Sequence, residues 1–194
     1  MKKFELTSEF VTFLGKKLFR IKALVSFGDV KEGELGGLVE KEENLDQSGN
    51  AWVYGNAWVY GDARVSGNAQ VSGNAQVYGN AQVYGNAWVY GNAWVYGDAR
   101  VSGDAWVSGN AQVYGNAWVQ NCRDYSATSC FGSENRTTTF FRTKDDGISV
   151  RCGCFYGTLD EFREKVKERH GDSRLAKEYL MLADLMEFRL SKDE

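Results

Sequence analysis

Few residues in this chain have the chemistry of a catalyst. Histidine occurs once, as His170, and cysteine four times, at Cys122, Cys130, Cys152 and Cys154. His is the usual general base at neutral pH because its pKa lies near the working range. His170, however, stands directly before Gly171 at the end of a predicted helix, where the helix dipole favours a cation. One imidazole also excludes a three-His zinc centre. Four thiolates would be enough for zinc, but the spacings Cys-x7-Cys and Cys-x-Cys are not the paired Cys-x2-Cys knuckles of such sites. Cys152 and Cys154 are expected on one side of a strand, as small buried hydrophobes. Neither a metal nor a cofactor is expected. The run SENRTTT at 133–139 is the most polar piece between ordered elements. Asn135, Arg136 and Thr138, with Arg142 shortly after, are the candidates there for gripping a phosphate or carboxylate. The plainer reading of that run is a solvated linker.

These side chains need elements to hold them. Residues 137–142 (TTTFFR) and 148–155 (ISVRCGCF) read as two strands joined by the turn KDDG, a predicted hairpin. Thr158 and Glu161 form a capping box, so a helix should open there and stop near Gly171. Asp172 or Ser173 caps a second helix with Leu175, Tyr179, Leu182 and Met186 along one stripe. The segment 127–194 is thus a small ββαα unit. It is too small to be secure alone and is expected to pack on the rest of the chain or on a partner subunit.

The rest of the chain is dominated by one phrase of six residues, spoken twelve times between residues 49 and 120: Gly, Asn or Asp, Ala, a variable residue, Val, and usually Tyr or Ser. Ala and Val stand two apart, so on a strand they share a face. The residues flanking Val face the other way, and Gly with Asn or Asp suits a corner. Three units close a triangular coil of 18 residues, and twelve units make four coils, about 19 Å tall at the spacing of paired strands. This is a parallel β-solenoid with Val and Ala inside. Residues 37–48 look like two decayed units in the same register, with Leu45 at an Ala position and Gln47 at a Val position. Residues 1–36 are not repetitive. Within them 17–24 (KLFRIKAL) has β character, and the segment is expected to cap the open end of the stack. The organisation is therefore a cap (1–36), a solenoid (37–126) and a C-terminal α+β domain (127–194).

All six Trp of the protein occupy outward positions of the repeat. Sorting the units by threes gives one face with Trp58, Trp94 and the column Tyr60, Tyr78, Tyr96 and Tyr114. A second face carries Trp52, Trp88 and Trp106, and the third is more polar, with Arg64 and Arg100. Exposed aromatic surface of this extent marks an interface. Those nine aromatic residues are the candidates for an oligomer contact or ligand platform, against the plainer reading of rings that stack only to stabilise neighbouring coils. The stretch GNAWVYGNAWVYGDARVSG at 49–67 recurs residue for residue at 85–103, two coils on.

The phrase resembles the hexapeptide-repeat superfamily, which implies a left-handed parallel β-helix of about four to five coils and a homotrimer packed along its solenoids. Many members are acyltransferases with a His base at a subunit interface and coenzyme A along the solenoid. The lone His outside the repeats argues against that activity. The flanks LFRIKALVSFGDVKEGELGGLVEKEENL and NRTTTFFRTKDDGISVRCGCFYGTLDEF resemble those of phage- and prophage-encoded repeat proteins. That resemblance implies a viral accessory protein, with a host-defence component or its nucleotide signal as target.

Bulk properties add limits. A net charge of −3 offers no electrostatic footprint for nucleic acid. No apolar run reaches the ~18 residues of a membrane helix, and no signal peptide is evident, so a cytoplasmic location with reduced cysteines is expected. The expectation is a non-catalytic binding protein: a trimeric scaffold presenting its C-terminal domain to a protein or small ligand. The alternatives are an acyltransferase and a purely structural spacer.

Overall fold

The computed structural model describes residues 2–191. Each repeat unit forms one two-residue strand, from β4 (Trp52–Val53) to β15 (Trp118–Val119). Each strand pairs in parallel with the one three units on, so Trp88 lies beside Gln70 and Trp106, an offset of 18 residues. The twelve strands therefore sort into three sheets, with Trp52, Trp58 and Arg64 opening one each. All twelve Ala and all twelve Val of the repeat are buried and form one continuous core. Coils are stitched by backbone bonds such as Trp88 N–H to Ala105 O at 2.9 Å.

The corners show why the phrase is so strict. Gly85 has φ +72, and a Cβ there would come within 2.9 Å of the Gly103 nitrogen one coil away. A side chain is excluded by both conformation and the coil spacing. At several corners the Asn beside the Gly donates its amide to the next coil's Asn or Asp, as in Asn68 to Asn86 (3.1 Å) and Asn86 to Asp104 (3.0 Å). A carboxylate only accepts, so Asp104 ends that ladder.

The stack is about five turns, because residues before the repeat supply a further, looser coil. Its register corrects the one read from the sequence. Val39 pairs with Val59 and Leu45 with Val65, an offset of 20. Leu45 thus takes a Val position, not an Ala position, and two extra residues fall in the following corner. Gln47, expected at a Val position, sits in that corner and binds the N-terminus. Its side-chain oxygen accepts from the Lys3 (2.8 Å) and Phe4 (3.2 Å) backbone N–H groups, and its amide donates to Phe4 O at 3.3 Å.

The N-terminal segment forms an antiparallel sheet that is larger than the single strand expected. β1 (Phe4–Phe13) and β2 (Lys16–Ala23) make a hairpin turned at Leu14 and Gly15, both left-handed. β2 pairs with β3 (Leu35–Val39), which continues the Trp58 sheet, so hairpin and solenoid face form one seven-stranded sheet.

At the far end, β16 (Tyr125–Phe131), β17 (Arg136–Arg142), β18 (Ile148–Cys152) and β19 (Phe155–Thr158) make a four-stranded antiparallel sheet. Two helices follow, α1 (Leu159–His170) and α2 (Arg174–Leu190). Two of these strands were not anticipated, and β16 crosses the position assigned as the boundary, 126/127. The caps are as read: Thr158 and Glu161 form the capping box, Gly171 ends α1, and Ser173 caps α2. β17 serves both sides. Phe141 joins the solenoid core, while Phe140 joins the core under the helices. Thr139 Oγ1 accepts from Gln112 N–H of the last coil at 3.0 Å. The C-terminal sheet is therefore both lid of the solenoid and floor of the helical layer.

A buried lysine and the half-buried tyrosine column give the fold a pH signature. The Lys3 ammonium is buried and donates to the carbonyls of Ser48, Gly49 and Ala51. Burial lowers its pKa to about 8, with Asp46 opposing. Between about pH 8 and the ordinary lysine value of 10.5 the unfolded chain holds more protons, so stability rises with pH in that window. The Tyr78 phenol is pushed far up by burial and then by Tyr96 and Tyr60, and burial also raises Tyr60 and Tyr96. Above the ordinary tyrosine value of 10 the unfolded chain releases its phenolic protons first, so stability falls. Urea midpoints should peak where the two windows meet, close to the ordinary tyrosine value of 10. Lys3→Met should flatten the rising limb and leave the falling limb intact; an unchanged rising limb would remove Lys3 as its cause.

Candidate functional site

The nine aromatic candidates fall into three environments. Trp52 is fully buried, which corrects its placement on an open face. It does point away from the Val and Ala core, but Phe4 and Phe27 of the N-terminal segment close over it edge-on, at 6.2 and 5.4 Å between centroids. The tyrosine column is half-buried. Tyr60, Tyr78, Tyr96 and Tyr114 stack in sequence with centroids 4.4–4.9 Å apart. Its ends are covered, by Phe13 on Trp58 and Tyr60 and by Tyr156 on Tyr114. The rings left open are Trp88, Trp94 and Trp106, at 41, 39 and 50% exposure. Trp88 and Trp106 stack on one another with centroids 5.6 Å apart.

The C-terminal candidates separate in the same way. Thr138 is fully buried in β17, its hydroxyl bonded to the Cys152 sulfur at 3.2 Å. Arg142 donates to the carbonyls of Leu190 (2.6 Å) and Ser191 (2.8 Å), and lies 3.6 Å from the buried Asp124 carboxylate. It caps the C-terminus of α2, so neither residue faces solvent as a ligand contact. Asn135 occupies the left-handed corner of the β16–β17 turn, with φ 49. Arg136 borders a cavity.

That cavity is a cleft of about 270 Å³ at the end of the C-terminal sheet remote from the solenoid. The turns 132–135 and 153–154 form one wall and the second half of α1 the other. Its floor is aromatic. Phe131 and Phe162 both pack edge-on against Tyr179, each at 5.8 Å. Phe155 leans on Phe162 at 5.6 Å. The Tyr179 hydroxyl accepts from Ser133 N–H at 3.1 Å, pinning the turn to α2. His170 lies nearly parallel to the Tyr179 ring, at 5.7 Å.

The rim is cationic. Arg136 comes from β17, and Lys165, Arg169 and His170 come from α1, with Glu134 the one carboxylate lining the cleft. Lys165 is bound to Glu168 at 2.6 Å. Among the described residues no ion pair holds Arg136, Arg169 or His170. A helix end explains cations on α1. It does not explain Arg136, which reaches the same cleft from the sheet.

Cys152 and Cys154 also line the cleft, which corrects the reading of two buried thiols on one strand. The chain turns at Gly153, leaving Cys152 half-buried and Cys154 exposed. Cys122 and Cys130 are exposed elsewhere. Among the described residues no three His, Cys, Asp or Glu side chains come together as a metal site. The cleft was not visible from spacing, since its groups come from two turns, four strands and both helices. The one sequence signal was the basic end of α1, KERH, which alone has a plain helix-dipole explanation.

The cleft can hold a flat or apolar body on its aromatic floor while the guanidinium groups and imidazole bind an anionic group at its mouth. Among the described residues no helix is long and apolar enough to cross a membrane.

A family model described as the YdcK beta solenoid repeat matches the chain at residues 57–73, 69–85, 75–91, 81–97 and 93–109. These stretches lie wholly within the regular coils and do not reach the cleft. No curated protein matches the chain.

Proposed function

We propose that this chain is a non-catalytic binding protein whose solenoid carries a C-terminal domain that takes a small organic anion. The observation that carries this reading is the cleft with an aromatic floor and two guanidinium groups, Arg136 from the sheet and Arg169 from α1, that no ion pair holds among the described residues. An anion replacing water there gains charge-assisted hydrogen bonds, and a planar body gains the floor. Nucleotides have both parts. The likeness of the two flanks to phage- and prophage-encoded repeat proteins supports a nucleotide signal of host defence as the ligand, or a host-defence protein as the partner. The period of six likewise supports the wider hexapeptide-repeat superfamily and its trimeric assembly, with Trp88, Trp94 and Trp106 as the open aromatic contacts.

The test is a thermal-shift screen of mononucleotides, cyclic nucleotides, coenzyme A and simple carboxylates. A ligand of the cleft raises the melting temperature by mass action. Arg136→Ala and Arg169→Ala should each weaken it about tenfold to a hundredfold, as the loss of ~1.5–3 kcal/mol per charged hydrogen bond implies. A ligand whose affinity ignores both changes would place binding elsewhere, and a screen with no shift would count against the small-ligand reading. Acetyl-coenzyme A turnover that vanishes in His170→Ala would establish the acyltransferase alternative instead.

A further inference from the structure

We propose that the outer face of α2 is a two-fold contact between copies of this chain, with the two helices antiparallel. α2 carries two apolar stripes. One, with Tyr179, Leu182 and Met186, is buried on the sheet. The other is Met181, Leu185 and Phe188, exposed at 71, 56 and 84%. Spacings of four and three put these three side chains on a single helix face. Apolar groups on a solvated face of a short helix do nothing for its own fold, and a continuous patch of a few hundred Å² is at the upper end for a monomer's surface.

Charge on the same face identifies the occupant as a second copy. Glu178, which also holds Arg174 at 3.2 Å, lies one turn before Met181, and Arg189 lies one turn after Leu185. The midpoint between these two charges nearly coincides with the midpoint of the apolar stripe. Reversing the helix about that point places Glu178 opposite the other copy's Arg189, twice over, about 16 Å apart at 1.5 Å per residue. A parallel arrangement would oppose like charges. Two stripes alone cover less than the ~1,200 Å² of a standard interface. The surface continues, however. Arg189 donates to Cys122 O at 3.4 Å and borders the groove with Tyr90 and Trp106 on the solenoid. The half-exposed Trp106 edge therefore extends the same patch.

Sedimentation and light scattering test this on the full chain. A two-fold contact makes the assembly even-numbered: a dimer if it acts alone, a hexamer if the solenoids also trimerise. Leu185→Glu with Phe188→Glu should halve the mass while circular dichroism stays native. Glu178→Arg and Arg189→Glu should each weaken association about tenfold, and the double reversal should restore it, because the pairing is between opposite charges. A wild-type trimer would overturn this contact and leave the trimeric scaffold standing. A wild-type monomer would overturn both. Unchanged mass in the double glutamate variant, or failure of the reversed pair to restore association, would also overturn it, and retention of a host protein by the wild type alone would assign the face to a different partner.

Discussion

Gly132→Ala is expected to unfold the C-terminal domain and abolish the cleft while the solenoid stays folded. Gly132 has φ +73, a region that costs an ordinary L-residue roughly 1–2 kcal/mol. The larger effect is steric. The added methyl would fall on the Tyr179 hydroxyl and ring edge. Tyr179 cannot yield easily, because Phe131, Phe162 and His170 surround it and its hydroxyl receives the Ser133 N–H. Displacing a large buried side chain in such packing costs ~3 kcal/mol or more. Near-ultraviolet dichroism should lose its C-terminal aromatic signal well below the melting point of the coils. Removing the obstacle supplies a control: in a Tyr179→Ala background the same Gly132→Ala change should cost much less, since the two sites share one contact. Strictly additive effects would show that the clash is not the cause.

The second large effect concerns Trp52. Trp52→Ala should cost ~3–5 kcal/mol, the range for deleting a fully buried large aromatic, and the loss should appear first as opening of the N-terminal hairpin. Phe4 and Phe27 rest on this ring, and Gly36 approaches it so closely that a Cβ would lie 2.7 Å from the indole. The indole N–H is buried with no hydrogen-bond partner among the described residues, so Trp52→Phe should cost far less than Trp52→Ala. Hydrogen exchange across β1 and β2 would report the opening. Trp88→Ala is the matched comparison, because Trp88 holds the same place in an identical phrase yet is 41% exposed. Equal costs for the two changes would refute the role given to the cap.

Much of this architecture was legible because it is local. A period of six fixes which residues turn, which face inward and which coil each strand joins. The observed offset of 18 follows directly from it. Capping residues Thr158, Glu161, Gly171 and Ser173 were legible for the same reason: each acts on backbone groups within a turn of itself. The first coil was misread because Leu45 satisfies either core position, and nothing local shows that two residues have been inserted after it. The hairpin strand Phe4–Phe13 alternates only in part, with a register shift between Leu6 and Phe10, and its assignment as a strand depends on Lys16–Ala23 and the Trp58 sheet beyond. Arg142 and Thr138 looked like ligand contacts because their chemistry is right. Tertiary contacts consume them, one at the end of α2 and the other beneath the helices. Arg136, Cys152, His170 and Tyr179 gave no joint signal, since no spacing relates groups that meet only when two turns and two helices pack.

The twin phrases at 49–67 and 85–103 show the division most plainly. Nineteen identical residues form the same strands, the same corners and the same buried Ala and Val column in both places. That much the sequence determines by itself, because stacking repeats each local geometry. Yet Trp52 is sealed under the N-terminal segment and Trp88 stands open. The difference lies outside both copies, in which non-repetitive flank reaches each coil. Only the tertiary structure could decide it, because burial depends on what the rest of the chain brings to a residue and not on the residue's own neighbours in sequence.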